Sequence, residues 1–320
     1  MDLLSTVLRS LRLVDSAVGL FEFGAPWAFS LKSATPEQIF VLGPENAPLL
    51  LEVEGVPTQR VEPGDTAVVL GARFAMAAPA GGAPMPLEQV WRDGGLPPLG
   101  QQAERTGPLH LRWNVPEAGA TAAPDRIITL ALQLEDLAHS PVLGVLPRCF
   151  VLRGESSVYP WTYPIQRFIR HEGHRQRPGY EAAAHTLAQL TFMELTRSYA
   201  VDVGADKASW LKGIADPQIG RALGLIYGQT ERDWTLESLA HACQMARSTF
   251  SRRFQRLVGR SPMEYLGSVR LDIAARRLRA GERVGNVAAS IGYQSEWAFR
   301  QAFTRQFGTS PKRYAQAGRP

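Results

Sequence analysis

Residues 248–254 read Ser248-Thr249-Phe250-Ser251-Arg252-Arg253-Phe254, and Gly259-Arg260-Ser261-Pro262 follows them. The pattern returns 49 residues later: Phe250, Phe254, Gly259, Ser261, Pro262 and Tyr265 recur as Phe299, Phe303, Gly308, Ser310, Pro311 and Tyr314. Upstream the offset is 48, pairing Ala240 with Ala288, so the second copy holds one extra residue between the matching stretches. Self-similarity of this kind marks a duplicated supersecondary unit. Each copy reads as a short helix, a turn, and a second helix whose phenylalanines, four residues apart, share one stripe. The opposite stripe is left free. It holds Arg247, Ser248, Ser251, Arg252 and Arg256 in the first copy, and Glu296, Trp297, Arg300 and Gln301 in the second.

Five arginines lie between Arg247 and Arg260. Arginine offers paired donors to guanine edges and phosphate oxygens, which is what a helix lying in a major groove needs. Between the copies, Ser261-Pro262 opens a helix and Gly281 closes it. From Pro262 to Ala280 such a rod is about 28 Å long at roughly 1.5 Å per residue. It would hold two reading helices about one DNA turn (~34 Å) apart, entering successive major grooves on one face. Upstream, Asp216-Pro217 starts a helix with the stripe Ile219, Ala222, Leu223 and Ile226, and Thr235 caps Leu236–Ala242.

Charge divides the chain in the same way. From Pro217 onward there are 17 Lys/Arg against 7 Asp/Glu; before it, 18 against 23. The basic third has the electrostatic footprint of a nucleic-acid binder. With 320 residues, 45% apolar and 20% charged, the chain is expected to form two globular domains. No run approaches 18 apolar residues, and Met1-Asp2-Leu3-Leu4-Ser5 lacks the pattern of a secretory signal. Cys149 and Cys243 provide neither a disulfide framework nor a metal knuckle. A cytoplasmic, nucleoid-associated setting is expected, with no membrane partner.

The first 150 or so residues read as β-structure. Leu109, Leu111, Trp113 and Val115 alternate onto one face, as do Ile128, Leu130, Leu132 and Leu134, and Leu49, Leu51 and Val53 oppose Glu52 and Glu54. Pro63-Gly64-Asp65 is a turn before the strand Thr66–Leu70. Short strands with such punctuation suggest an antiparallel barrel or sandwich. Residues 79–100 hold five Pro and five Gly, predicting a long interrupting loop. Tyr159-Pro160-Trp161-Thr162-Tyr163-Pro164 is a stiff aromatic connector. The segment Glu181–Val201 is helical in composition, with Ala184, Leu187, Ala188, Thr191 and Leu195 to bury in its own domain or in a dimer partner.

The C-terminal third resembles the DNA-binding unit of the AraC/XylS transcriptional regulators. The resemblance covers about residues 216–315. It rests on Trp234-Thr235-Leu236-Glu237-Ser238-Leu239-Ala240, on the stretches quoted first, and on Val287-Ala288, Ile291-Gly292-Tyr293, Phe299, Phe303, Phe307-Gly308 and Ser310-Pro311. Asp2-Leu3-Leu4-Ser5, Ala25-Pro26-Trp27 and Glu62-Pro63-Gly64-Asp65 resemble the cupin-like sensor domain of some members. The resemblance implies an α+β chain: an N-terminal antiparallel cupin-like barrel with linker helices, then an all-α domain with two helix-turn-helix motifs. The implied boundaries are 1–155 for sensing and dimerisation, 156–215 for linker and dimerisation helices, and 216–320 for DNA binding. Double-stranded promoter DNA is the implied partner, with a small-molecule effector, a homodimer, and RNA polymerase for an activator. Three positions depart from the family. Gln244 stands where glycine is usual, Ala246 where Ser or Thr commonly caps the recognition helix, and Gln301 where a basic residue is frequent. The first recognition helix should therefore dominate DNA contact.

Neither enzyme chemistry, a metal nor a cofactor is expected. His110 and His139 are the only histidines before residue 150, and Phe74 lies where a barrel ligand would be sought. His171 and His174 have a suggestive spacing but no third ligand nearby, and Arg170, Arg175 and Arg177 make a solvated linker the simpler reading. Phosphate-binding glycine loops and nucleophile turns do not occur. Cys149 and Cys243 read as core. The alternative is a cupin-type enzyme carrying a DNA-binding tail, which would need converging His/Glu ligands in the barrel.

Overall fold

The computed structural model describes residues 13–32, 37–96, 107–115, 123–134, 146–154, 162–172, 178–199, 213 and 216–317. The Asp2–Ser5 motif, His139, the Tyr159-Pro160-Trp161 part of the connector, His174 and the end of the Glu181–Val201 segment lie outside the described residues. Among the described residues, 13–134 and 146–199 belong to one compact unit, and 213 with 216–317 to another.

The first unit holds eleven described strands: β1 (Leu13–Phe23), β2 (Ala28–Leu31), β3 (Gln38–Pro44), β4 (Leu49–Val53), β5 (Gln59–Val61), β6 (Thr66–Leu70), β7 (Phe74–Ala77), β8 (Met85–Pro86), β9 (Leu109–Trp113), β10 (Asp125–Leu134) and β11 (Cys149–Leu152). Its described helices are α1 (Leu87–Asp93), α2 (Thr162–Glu172) and α3 (Tyr180–Ser198). The expected antiparallel barrel is corrected on two points. The strands form two sheets, ordered β11-β6-β3-β10-β1-β9 and β5-β4-β7-β2-β8, and each described strand belongs to one sheet only. Two pairs, β1/β9 and β2/β8, run parallel. The partners of each parallel pair are far apart in the chain, as the crossover between parallel strands requires. Among the described residues side chains, not a closing ladder, join the sheets: Phe21, Phe23, Phe29, Leu49, Leu51, Val53, Phe74 and Met76 share one buried core.

Strand periodicity is followed where one face is wet. Leu49, Leu51 and Val53 are buried and Glu52 is exposed; Leu109 and Leu111 are buried and His110 and Arg112 exposed. β9 stops at Trp113, since Asn114 takes φ 48°, so Val115 lies beyond the strand. β10 departs from simple alternation. Ile127 joins the core between the sheets, while Ile128, Leu130, Leu132 and Leu134 are also buried. Their face is the one that α2 and α3, packed on β1, would cover. The apolar side of α3 (Ala184, Ala188, Thr191, Phe192, Leu195) is thus buried within its own unit. The Gly/Pro-rich stretch is no plain loop: Leu87, Val90 and Trp91, at helical spacing, bury α1. The Pro-Gly-Asp turn ends in a clasp. Buried Asp65 accepts from Glu62 N (3.1 Å), Gly154 N (2.9 Å) and Arg153 Nη1 (2.6 Å). Burial alone would raise its carboxyl, but these donors hold it below the usual range.

The second unit is helical: α4 (Pro217–Gly228), α5 (Leu236–Ala242), α6 (Arg247–Val258), α7 (Pro262–Arg279), α8 (Val284–Ser290), α9 (Glu296–Phe307) and α10 (Pro311–Ala317). Asp216 caps α4 through Gln218 N and Ile219 N. Thr235 with Ser238, and Ser261 with Glu264, form reciprocal capping boxes on α5 and α7. The 18 residues of α7 make a rod of about 27 Å. Its two ends serve different partners. Tyr265 packs on Phe254 of α6 (ring centroids 5.8 Å apart), whereas Leu271, Ala274, Ala275 and Leu278 join a core with Val287, Ala288, Ile291, Phe299 and Phe303.

Candidate nucleic-acid interface

The two helix pairs α5/α6 and α8/α9 are built on one hydrogen-bond plan. Cys243 N donates to Leu239 O (3.1 Å), Gln244 N to His241 O (2.9 Å) and Met245 N to Ala240 O (2.9 Å). Forty-eight residues on, Ile291 N donates to Val287 O (3.2 Å), Gly292 N to Ala289 O (3.3 Å) and Tyr293 N to Ala288 O (3.1 Å). Past the extra residue the correspondence resumes at 49: Gly259 N to Gln255 O and Gly308 N to Thr304 O, then Tyr265 N to Ser261 O and Tyr314 N to Ser310 O. The anchors repeat as well. Phe250 and Phe254 lie 5.7 Å apart at 59°, Phe299 and Phe303 5.5 Å apart at 57°, and all four are fully buried.

With the phenylalanines turned inward, the other stripe faces solvent. Arg247, Ser248, Arg252 and Arg256 are exposed on α6 and Ser251 is half-buried. None of these three arginines forms an ion pair with a described residue. Arg253 does something different: its Nε and Nη2 donate to Asp216 Oδ2 (3.0 and 2.5 Å) and its Nη1 to Gln218 Oε1 (2.9 Å), stapling α6 to the start of α4. Burial would raise the Asp216 carboxyl, but the Ile219 and Gln218 amides and Arg253 hold it below the ordinary range. On α9, Glu296, Trp297, Arg300 and Gln301 are all exposed, Trp297 at 72%. Here the charges are paired, since Arg300 donates to Glu296 through Nε (2.9 Å) and Nη2.

The three departures also have structural consequences. Gln244 takes φ 56° where Gly292 takes 83° in the second copy. Ala246 gives α6 no side-chain cap, whereas Ser295 caps α9 through Ala298 N (3.2 Å). Gln301 is exposed beside Arg300. One organising residue was not foreseen: Arg270, in the middle of α7. It donates to Thr230 O (2.9 Å), Arg232 O (2.8 Å) and Gly292 O (3.4 Å), so one guanidinium holds the loop before α5 and the turn after α8. Arg270 is one of four arginines in α7, and nothing in the local pattern sets it apart from the other three.

Sites expected to be inert lie as follows. Phe74 is buried against Phe40 (5.3 Å) and His110 is exposed. Among the described residues no three His, Cys, Asp or Glu side chains come together as a metal site. Burial pushes the Cys149 thiol up to about 11 and raises Cys243, the reverse of what a reactive thiolate needs. No described helix is long and apolar enough to cross a membrane.

Comparison with known proteins agrees with this geometry. A family model described as a helix-turn-helix domain matches residues 239–317, and one described as a cupin matches residues 2–200. The HTH-type transcriptional regulator AlkR of Acinetobacter baylyi is 35% identical over 204 residues, 62% of this chain and 66% of that protein. The RCS-specific HTH-type transcriptional activator RclR of Escherichia coli K12 is 30% identical over 192 residues, 59% of this chain and 67% of that protein. The chain thus spans about two thirds of the length of these relatives. Among solved structures, the DNA-binding domain of AdpA in complex with a target DNA is 34% identical over 32% of this chain and 92% of that chain, with a TM-score of 0.30.

Proposed function

Because this chain belongs to the AraC-family transcriptional regulators that carry a cupin domain ahead of the helix-turn-helix domain, we propose that it binds promoter DNA through two helix-turn-helix units and regulates transcription from that site. The observation carrying this reading is the repeated turn and anchor plan, which leaves one solvent-facing stripe on α6 and another on α9. Arg252, with Arg247, Ser248, Ser251 and Arg256, reads the major groove from α6. Glu296, Trp297, Arg300 and Gln301 read the next groove from α9. Arg247, Arg252 and Arg256, without an ion pair to a described residue, make α6 the dominant contact, because each phosphate neutralised releases counterions.

In this reading residues 1–155 form the effector-sensing domain, 156–215 the linker and dimerisation helices, and 216–320 the DNA-binding domain. A small molecule bound in the cupin domain controls binding. The working form is a cytoplasmic homodimer, and an activator would also contact RNA polymerase. Leu190, about half exposed on α3, is a place for a second copy to pack. The relatives compared are named as regulators, which favours this reading over an enzyme with a DNA-binding tail.

Hydroxyl-radical footprinting of the full chain on its own upstream DNA tests the function. Two protected patches one helical turn apart on one face are expected, responding to added metabolites. Uniform cleavage at low salt would overturn it.

A further inference from the structure

We propose that Arg300 is a guanine-reading residue held in its reading pose by Glu296, so that α9 selects a G·C pair while α6 supplies most of the affinity. This rests on the DNA-reading function proposed above. The guanidinium carries five N–H donors in a rigid fork. Two of its edges, Nε and Nη2, are spent on one oxygen of Glu296, Oε1. The end of the fork, made by Nη1 and the second Nη2 hydrogen, remains. That pair of parallel donors can still match guanine O6 and N7.

Glu296 is itself seated. Its Oε2 lies over Gly285 of α8, where a Cβ would approach to 3.1 Å, so the bare glycine admits the carboxylate. The side chains of Glu296 and Arg300 remain 43% and 58% exposed. They lie on the exposed side of α9 with Trp297 and Gln301, and within that side they flank the buried Phe299 and Phe303. A carboxylate fixed beside an arginine weakens attraction to phosphate and leaves its donor direction intact. Such a pair discriminates between bases better than it binds backbone.

The test selects duplexes from a randomised library with the full chain and compares base preferences between variants, with circular dichroism to establish folding. Arg252→Ala locates the half of the site under α6. In the other half, about one turn away, the wild type should select a guanine by about 5- to 150-fold, the range for a bidentate base contact. Arg300→Ala and Arg300→Lys should both erase that preference and leave the α6 half unchanged, because lysine keeps the charge but lacks the fork. Glu296→Ala should weaken the guanine preference while strengthening binding to unselected DNA. If Arg300→Lys retains the preference, or Arg300→Ala weakens all sequences equally and lowers the salt slope by about one, Arg300 is a phosphate contact and the inference fails. A selected site with no guanine in the α9 half overturns the inference alone. A library yielding no preferred sequence overturns the DNA-reading function and the inference together.

Discussion

The turns of the two helix pairs share a backbone but not a neighbourhood, and matched substitutions should separate the two. At Gln244 the left-handed backbone holds a non-glycine residue. That conformation costs an L-residue about 1–2 kcal/mol, while glycine adds about 0.5–1 kcal/mol of unfolded-state entropy. Gln244→Gly should therefore stabilise the helical unit by about 0.5–1 kcal/mol. The opposite change at Gly292 is more than the same number with its sign reversed. A Cβ there would sit 2.6 Å from Arg270 Nη2 and 3.2 Å from Glu231 O. The guanidinium must move, and it holds Thr230 O and Arg232 O at 2.9 and 2.8 Å. Losing one such charged hydrogen bond costs about 1.5–3 kcal/mol. With the backbone term added and the entropy gain subtracted, Gly292→Ala should destabilise by about 2–4 kcal/mol. Guanidinium-induced unfolding followed by circular dichroism reads the change, and hydrogen exchange at the α5 and α8 amides assigns it to the helical unit. In an Arg270→Ala background the glycine substitution should cost only its backbone term. Costs at Gly292 that are small, or identical with and without Arg270, would refute the placement of that guanidinium.

Arg252→Ala should weaken operator binding by about 1–3 kcal/mol and relax preference at one or two base pairs, with Gln301→Ala costing less; equal binding by Arg252→Ala in a gel-shift titration would put the reading stripe elsewhere. As a control, Phe254→Ala should lose about 3–5 kcal/mol of stability and bind nothing because the buried anchor is gone. The fragment from Ala215 to Pro320 should bind duplex DNA with an affinity that falls steeply between two salt concentrations, and indifference to salt would contradict its basic balance. Asp216, with its carboxyl held low in the folded state, contributes stability above its unfolded pKa and loses it as pH falls through the depressed folded value. Asp216→Asn should therefore be less stable at neutral pH by about 1.5–3 kcal/mol and show a smaller loss on acidification to pH about 3 in denaturant titrations.

What was legible in the sequence was local. Phe250/Phe254 and Phe299/Phe303, Gly259 and Gly308, and the Ser-Pro helix starts each decide structure within a few residues, so the repeat could be read directly. The free stripe followed from helical phase, which also sets Arg253 beside the anchors rather than opposite them. The sheets were less legible because strand partners are set by distant residues. Nothing local to Ile128–Leu134 says that helices cover the face opposite the sheet core. In α1, Gly and Pro on either side masked three apolar residues at helical spacing. The Arg270 contacts span 22 to 40 residues, and such long-range hydrogen bonds leave no pattern in composition or periodicity.

The two copies now differ in a physically coherent way. The second has the glycine turn, the Ser295 cap and a charge pair that neutralises itself, so its helix is locally well supported and electrostatically quiet. The first has a strained Gln244, no side-chain cap at Ala246, and Arg247, Arg252 and Arg256 without an ion pair to a described residue, so α6 combines the greater charge with the weaker local support. Each of those two local deficits is worth about 1 kcal/mol. The Arg253 staple to Asp216 and Gln218 offsets them by tying α6 to the first turn of α4. Asp216 thereby acts twice, as the cap of α4 and as the anchor of α6. Whatever disturbs the entry to α4 withdraws support from the helix that carries most of the positive charge. The α9 helix, held through its own cap and Arg270, should persist. Loss of affinity without loss of the α9 base preference is then the signature of disruption at Asp216.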